Sequence, residues 1–480
     1  MEMKSSELAY LTPALQDTRL MEQTQELRLP EGMPDVGQII GVWGQPVLRS
    51  KQWRTDMVAF TGGIQVWLAY RPENGEDIQY LDSWLPFQGS WDLDRDTPEG
   101  KMALETGIRA LDARTVSPRK ILLRADLALW VQALCPATAL LYSPGDLPED
   151  VQLLEKEYCL RLYQQAGEKS FVAEDTTAIP EHHGCAGIRT VLTDQKVVGN
   201  KLAFRGTVEL TLLVSQEDGS MEGRNLALSF AQFAELEKSY GNQAEAELHI
   251  CVTELELGDS GIRVGLTAQY AVSDECSVQV LEDAYSCRRS VELTVGSLSV
   301  VPILARQKLV LRGEAPLPHQ LTGVAEAALW TDFPQCLPES RELQGQGMVQ
   351  LLGYNQEGRL QGGACRWDAR CQMETEGECF LTGFSPSAPQ VEPAKGCIAV
   401  ELHCQVSQLG TGGIPAVTDI VLGELLEPDP QRPSLILCRV KQESLWALAK
   451  QNGSTVADIR RANALEGECV EGTMLLIPIH

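Results

Sequence analysis

The sequence has too few basic residues to balance its acidic ones, and this limits the partners it can bind. Its 480 residues include 40 Lys and Arg against 66 Asp and Glu, which gives a net charge of -26 at pH 7. Nucleic acids and anionic lipid surfaces attract proteins through Lys and Arg side chains that displace counterions from phosphates. So large an excess of negative charge opposes both, and we expect no nucleic-acid partner.

The sequence also lacks the features of exported and membrane-spanning chains. It contains no run of about 18 apolar residues, the length that a transmembrane helix requires. The segment 1–32 carries acidic residues throughout and has no apolar core of the kind found in signal peptides. These absences predict no transmembrane segment and a protein that stays in the cytoplasm, where it is made.

Cysteine is present in 14 copies, but not at the spacing of a zinc site or a disulfide framework. No Cys-x-x-Cys pair occurs, and Cys365, Cys371 and Cys379 are too far apart for a zinc knuckle. The His-His-Gly-Cys stretch at 182–185 has no second cluster that would complete four ligands. We expect free, mostly buried thiols, no metal and no other cofactor.

Motifs of known catalytic chemistry are absent as well. There is no Gly-x-Ser-x-Gly elbow, P-loop, dinucleotide-binding fingerprint or His-Glu-x-x-His helix. The acidic stretch WDLDRD at 91–96 lacks the glycine and closing glutamate of a calcium-binding loop, which favours an exposed loop after a strand. His403 lies in an alternating strand beside Cys404, as a structural histidine would. We therefore expect a protein that is not an enzyme.

What the sequence does contain is an internal repeat. The segments AFTGGIQVWLAYRPENGE at 59–76, AFRGTVELTLLVSQEDGS at 203–220 and LQGQGMVQLLGYNQEGRL at 343–360 share one pattern. In each, a first glycine (Gly62, Gly206 or Gly345) precedes a second by thirteen positions, with β-forming residues and a polar turn between them. The repeat predicts antiparallel β-domains in which the three first glycines occupy equivalent places along their strands.

The fold class that follows is mainly β, with three tandem antiparallel β-domains. We expect an N-terminal segment at 1–29 and β-domains at 30–150, at 151–290 with a leading linker strand, and at 291–425. The third is divergent, because an extra segment near 316–338 interrupts its pattern. The Pro-containing stretch 426–433 predicts a linker to the remaining residues, 434–480.

The first two copies resemble the SPOCS domain, which is found in clostridial spore-coat and related proteins. The likeness runs through MPDVGQII and the FTG and LAY stretches of the first copy, and through CAGIRTVLTDQKVVGNKLAFRGTVELTLLV in the second. The third copy is less similar. This resemblance implies a structural role in the assembly of the endospore coat.

The segment 434–480 has a different pattern from the repeats. Apolar runs at 435–440 and 474–479 predict two strands, and SLWALAKQNGSTVADIRRANAL between them predicts two short helices. Ser444 and Thr455 are expected to cap the two helices at their N-termini, and Gly453 to end the first in a left-handed conformation. The sequence therefore predicts a small βααβ domain.

This βααβ pattern resembles the LysM domain. The likeness is carried by Val440, Ser444-Leu445-Trp446, Leu448-Ala449, Val456, Ile459, Asn463, Leu465, Gly472-Thr473-Met474-Leu475 and Ile477-Pro478. LysM domains hold N-acetylglucosamine polymers in a shallow groove between the loop before the first helix and the loop after the second. Here Gln442-Glu443 stand where the family usually has Gly-Asp, and they add bulk at the first loop.

Two functions remain open on these resemblances. SPOCS repeats followed by one LysM domain imply a structural adaptor of the mother-cell cytoplasm, located at the forespore and spore-coat surface, whose partners are a SpoIVA-type morphogenetic ATPase and other coat proteins. The alternative is a protein that binds peptidoglycan or another N-acetylglucosamine polymer.

The two loops of the LysM-like domain are the predicted partner-binding surface. Its residues are Lys441, Gln442, Glu443, Ser444, Leu445, Trp446, Asn463, Ala464, Leu465 and Glu466. Leu445 or Trp446 would be the anchor of a protein interface if either is exposed. The alternative is that both belong to the core of this small domain, which has few large side chains.

Overall fold

A computed structural model describes residues 3–75, 77–177, 179, 183–215, 221–375, 377–410, 412–426, 433–465 and 472–479. Within these ranges the protein is mainly β, and its strand pairs are antiparallel. The strands are β1 (Lys4–Arg28), β2 (Val36–Arg54), β3 (Met57–Pro72), β4 (Gln79–Asp92), β5 (Lys101–Ser117), β6 (Lys120–Ser143), β7 (Val151–Asp175), β8 (His183–Ser215), β9 (Met221–Tyr240), β10 (Glu245–Gly258), β11 (Gly261–Ser286), β12 (Arg289–Leu298), β13 (Ile303–Pro316), β14 (Gly323–Thr331), β15 (Gln335–Leu337), β16 (Glu342–Tyr354), β17 (Leu360–Gln372), β18 (Cys379–Pro386), β19 (Gln390–Glu392), β20 (Cys397–Leu409), β21 (Ile414–Leu425), β22 (Leu435–Arg439) and β23 (Met474–Pro478). The helices are α1 (Leu445–Asn452) and α2 (Val456–Asn463).

The N-terminal segment, for which the sequence predicts no element, forms the long strand β1. It pairs with β6 along nearly its whole length, from Lys4 opposite Ser143 to Arg28 opposite Lys120. Most of its side chains are half-buried or exposed, whereas β6 is buried without interruption from Leu127 to Cys135. The strand is therefore held by a partner distant in sequence, because its own residues carry little apolar alternation.

One pairing scheme occurs three times along the chain, in what we call the first (β1–β6), second (β7–β11) and third (β12–β21) strand groups. In each, an early strand pairs with a late one: β1 with β6, β7 with β11, and β13 with β20. In each, a central strand pairs with the strand that follows it: β3 with β4, β8 with β9, and β16 with β17.

The three repeat glycines lie at matching positions of these central strands. Gly62 is opposite Phe87, Gly206 opposite Phe230, and Gly345 opposite Ala369. A Cβ added to Gly62 would lie 2.6 Å from the Phe87 ring, and one added to Gly206 would lie 2.7 Å from the Phe230 ring. The first two glycines thus make room for an aromatic ring from the next strand. The third has an alanine opposite, and a Cβ added to it would instead lie 3.0 Å from Leu311 Cδ1.

The strand groups share their hydrophobic cores at the edges. The three largest apolar clusters draw chiefly on residues 29–131, 171–272 and 311–406. Each also includes side chains from another group: Trp330 packs into the first cluster, Trp67 into the second and Trp130 into the third. Because large apolar side chains cross between the groups, the groups pack directly against one another.

A buried polar network lies where the three groups meet. The carboxylate of Glu247 in β10 accepts hydrogen bonds from the Tyr163 hydroxyl at 2.9 Å, from Arg306 Nη2 at 2.7 Å and from Gln132 Nε2 at 3.3 Å. These partners come from β7, β13 and β6, so the network joins all three groups. Burial, together with the Glu247 carboxylate, raises the pKa of Tyr163 well above its usual range.

The end of the chain forms what we call the C-terminal unit, which consists of β22, α1, α2 and β23. Its two strands pair antiparallel, and its element order is the βααβ order that the sequence predicts. Of the predicted linker at 426–433, the residues 427–432 lie outside the part of the chain that the structure describes.

Candidate partner-binding surface

Local sequence explains the two helices of the C-terminal unit. The Ser444 hydroxyl accepts a hydrogen bond from the Ala447 amide, and Gly453 ends α1 with φ 63°, both as predicted. Thr455 caps α2 by accepting from the Asp458 amide at 3.0 Å, and its hydroxyl donates to the Asp458 carboxylate at 2.6 Å. The acidic side chain thus supports the cap through the threonine hydroxyl.

Asn463 ties α2 to β23. Its Nδ2 donates to the carbonyl oxygens of Ile459 at 2.8 Å and Leu476 at 2.6 Å, and its Oδ1 accepts from the Leu476 amide at 2.8 Å. The side-chain amide is therefore used inside the unit. Ala464 follows it with φ 49°, a left-handed conformation that ends the helix.

The predicted surface divides into exposed and packed residues. Lys441, Gln442, Glu443, Ser444 and Ala464 are exposed. The other described members are half-buried, and Glu466 lies outside the described residues; the half-buried ones are Leu445, Trp446, Asn463 and Leu465. Three of these, Leu445, Trp446 and Leu465, pack against the core of the C-terminal unit.

Trp446 contacts the chain's own second strand group. Its indole Nε1 donates to Asp283 Oδ2 at 2.8 Å, and its ring packs edge-to-face on Tyr285 with the centroids 4.8 Å apart. Lys450, one helical turn later, donates to both oxygens of Asp283 at 2.6 and 2.8 Å. Trp446 is therefore a half-buried side chain whose indole packs on β11 of the second strand group.

Two further contacts complete this junction between β11 and the C-terminal unit. The Tyr285 hydroxyl donates to the Ser454 carbonyl at 2.9 Å, and Cys287 Sγ lies 3.1 Å from the same oxygen. Tyr285 is 5% exposed and shares an apolar cluster with Leu448 and Ile459. We call this contact the β11 junction, and it uses the helices of the unit and the turn between them.

The sheet of the C-terminal unit has an apolar outer face that sequence analysis missed. Directly opposite residues of paired strands point to the same side, and Leu437 is opposite Leu476 while Arg439 is opposite Met474. Leu435, Leu437, Met474 and Leu476 are 50%, 59%, 50% and 38% exposed. The sequence contained a signal for this face. Both strands have apolar residues on both sides of the sheet, whereas the two helices can cover only one side.

The C-terminal unit is also electrically different from the rest of the chain. Between positions 434 and 480 the sequence has five basic and five acidic residues, so the net charge of -26 belongs to the strand groups. The basic residues are Arg439, Lys441, Lys450, Arg460 and Arg461, and the acidic residues are Glu443, Asp458, Glu466, Glu468 and Glu471.

The other candidate sites of the sequence do not come together in the described part of the chain. Asp94 and Asp96 are exposed after β4, and His403 Nε2 lies 3.2 Å from Glu401 Oε1 on an exposed part of β20. Cys185 is buried, which raises the pKa of its thiol to about 12, and His182 lies outside the described residues. Within those residues no three Cys, His, Asp or Glu side chains form a metal-binding group.

The cysteines that the structure describes are free thiols. Only Cys159 among them is exposed, and six are buried, namely Cys135, Cys185, Cys251, Cys365, Cys379 and Cys404. Burial raises the pKa of Cys251 to about 12 and that of Cys365 to about 11, which keeps these groups protonated and unreactive at neutral pH.

Comparisons with known proteins add no family at this point. No family model, no curated protein and no solved structure matches the chain. Neither α1 nor α2 is long and apolar enough to cross a membrane, and no other helix occurs among the described residues.

Proposed function

We propose that this protein is a non-enzymatic structural adaptor in endospore coat assembly. In this proposal the three strand groups are tandem SPOCS-like domains, and the C-terminal unit is a LysM-like domain that docks onto a SpoIVA-type morphogenetic ATPase. The protein acts in the mother-cell cytoplasm at the forespore surface, where it also contacts other coat proteins. Its layout resembles that of the spore morphogenetic protein SipL.

The observation that carries the proposal is the order of the parts. One strand-pairing scheme occurs three times, and a βααβ unit that is neutral overall follows it. The strand groups share apolar clusters and a buried network, which suits a rigid body that presents one docking unit. This combination supports an adaptor that binds its partner through one small domain at its C-terminal end.

Glycan binding is less well supported by the same geometry. The sequence 433–480 contains one aromatic side chain apart from its terminal histidine, Trp446, and that ring packs on Tyr285. The side-chain amide of Asn463 is used by the backbone of Ile459 and Leu476. The described part of the predicted groove therefore offers a sugar ring no free aromatic face and no free amide at Asn463, although the amide of Gln442 is exposed.

The test is affinity purification of the tagged chain from sporulating cells, with and without residues 433–480. We expect the full chain to capture the SpoIVA-type ATPase and the shortened chain to lose it, while both stay folded by circular dichroism. Titration of the full chain with chitin and peptidoglycan oligomers is the matched measurement. Saturable glycan binding without capture of the ATPase would contradict the adaptor and support the alternative.

A further inference from the structure

A cavity of about 820 Å³ lies between the three strand groups. Its walls come from β5 of the first group, from β8, β9 and β10 of the second, and from β14 and β18 of the third. The buried network around Glu247 joins the same groups, but neither Glu247 nor its three partners line this cavity. The cavity is therefore a separate feature of the contact among the groups.

Apolar side chains from all three hydrophobic cores reach this cavity. Ile108 belongs to the first apolar cluster, and Leu226 and Ile250 pack against the second. Leu329 and Phe384 pack against the third, and the last four of these side chains are half-buried. Protein interiors close most apolar voids, and partly apolar cavities of about 300–1,000 Å³ are the usual binding sites of small molecules. The volume and the lining therefore fit a small, partly apolar ligand.

The charge of the lining selects among such ligands. The described residues that line the cavity include three carboxylates and one guanidinium. Two of the carboxylates have partners within the chain, since Glu105 Oε1 lies 2.5 Å from His249 Nδ1 and Glu209 pairs with Arg189. Arg189 Nη1 also donates to the Pro386 carbonyl at 3.4 Å. The excess of acidic groups favours a cationic ligand over an anionic one.

The third carboxylate, Glu326 of β14, forms no ion pair with any basic residue that the structure describes. Its Oε2 lies beside Gly223 of β9, where an added Cβ would be 2.8 Å away. The sequence 215–222, which leads to Gly223, contains no Lys, Arg or His. Burial raises the pKa of Glu326, and the Ala327 amide opposes this. Glu326 is thus the lining carboxylate to which a ligand can supply the positive charge.

We propose that this cavity binds a small amphipathic amine, whose ammonium group pairs with Glu326 and whose apolar part lies between β9, β10 and β14. An ammonium group donates charge-assisted hydrogen bonds to a carboxylate, and such bonds are stronger inside a protein than in water. The half-buried apolar side chains of the three cores remove the rest of the ligand from water.

The inference does not depend on the proposed adaptor role, because the cavity lies among the strand groups. Its test is calorimetric titration of the purified full-length protein with decylamine, decanol and decanoate, which share one chain length and differ in charge. The titrations are run below micelle-forming concentrations at about pH 8, where the amine is cationic. We expect one saturable site that binds decylamine about tenfold more tightly than decanol, which is about 1.4 kcal/mol, and decanoate most weakly.

Three variants separate this site from the general attraction of a cation to an acidic chain. Glu326→Gln keeps the shape of the side chain and removes its charge, so the affinity for decylamine should fall to that for decanol. Glu235→Gln removes the same charge at an exposed position of β9 outside the lining and should leave the preference unchanged. Ala227→Phe, at an exposed lining position, should weaken binding of all three probes because its ring occupies part of the cavity.

Equal affinities for decylamine and decanol, tighter binding of decanoate, or no saturable binding would overturn the inference. A preference for decylamine that survives Glu326→Gln would overturn it as well. No coat protein takes part in these titrations. A chain that captures the SpoIVA-type ATPase but binds no decylamine would therefore contradict this inference and leave the proposed function standing.

Discussion

Two contacts in the molecule each pair an acidic side chain with a basic one, but at different depths. The first is the buried network among the three strand groups, and the second is the β11 junction. In the first, the Glu247 side chain is fully buried and meets Arg306, whose side chain is 12% exposed. In the second, Asp283 is 23% exposed and meets Lys450, which is 42% exposed. A buried charge that loses its partner is strongly destabilising, while an exposed pair contributes little. We therefore expect the three strand groups, which together we call the strand body, to unfold as one unit, and the C-terminal unit to unfold locally without them.

The largest effect is expected inside the strand body. Glu247→Ala removes the shared acceptor of Tyr163 and Arg306 and leaves Arg306 with only its ion pair to the exposed Glu245, and this should lower the free energy of unfolding by about 3 kcal/mol. Urea denaturation of the full chain measures it. The matched control is Glu401→Ala, which breaks the exposed ion pair with Arg312 and should cost less than about 1 kcal/mol. Equal losses of unfolding free energy in the two variants would contradict the proposed difference between a buried and an exposed ion pair.

A smaller and more local effect is expected at the β11 junction. Trp446→Ala removes the ring from Tyr285 and the indole donor from Asp283, so the C-terminal unit should lose local stability by about 2–3 kcal/mol. Hydrogen exchange should show faster exchange of amides in α1 and α2 and unchanged exchange in β6 and β11. Trp446→Phe, which keeps an aromatic ring, serves as the milder control. Loss of protection throughout the strand groups would show that the two regions are not separable.

The smallest effect concerns pH at the end of β11. Asp150 accepts from Arg289 Nε at 2.9 Å and from the Ser286 hydroxyl at 2.7 Å, and these hydrogen bonds hold the pKa of its carboxyl below the usual range. A depressed folded-state pKa stabilises the protein above the unfolded pKa of about 3.9, and the contribution is lost as the pH falls through the folded value.

Asp150→Asn should therefore reduce the stability of the protein at pH 6, and the difference from the wild type should shrink as the pH falls below the unfolded pKa of about 3.9. Urea midpoints of the wild type and the variant, compared at several pH values, measure this difference. A variant whose midpoint differs from the wild type by the same amount at every pH would argue against a pH-linked role of this carboxylate.

The sequence predicted the local features better than the distant ones. Caps at Ser444 and Thr455 and the left-handed Gly453 depend on neighbouring residues, and they were predicted correctly. The repeat glycines were likewise visible, because spacing along one strand is a local property. Strand β1 was missed because it has little apolar alternation and is held by β6, whose paired residues lie 92 to 139 positions away.

The predicted partner-binding surface shows the same difference between local features, which the sequence predicts, and distant contacts, which it does not. Exposure of Lys441, Gln442, Glu443 and Ser444 agrees with a loop before a helix, but the contact of Trp446 with Asp283 joins residues 163 positions apart. Nothing near Trp446 in the sequence indicates which side of α1 meets another part of the chain. The apolar outer face, in contrast, could have been recognised by asking which side of the two strands the helices leave open.

Capture of the SpoIVA-type ATPase from sporulating cells by Trp446→Phe, and by a chain without residues 433–480, is the most direct test of the proposed adaptor. If the partner binds the C-terminal unit while Trp446 serves an internal contact, the shortened chain should lose capture and Trp446→Phe should retain it. Capture that survives in the shortened chain but is lost in Trp446→Phe, with both proteins folded, would contradict the proposed role of the C-terminal unit.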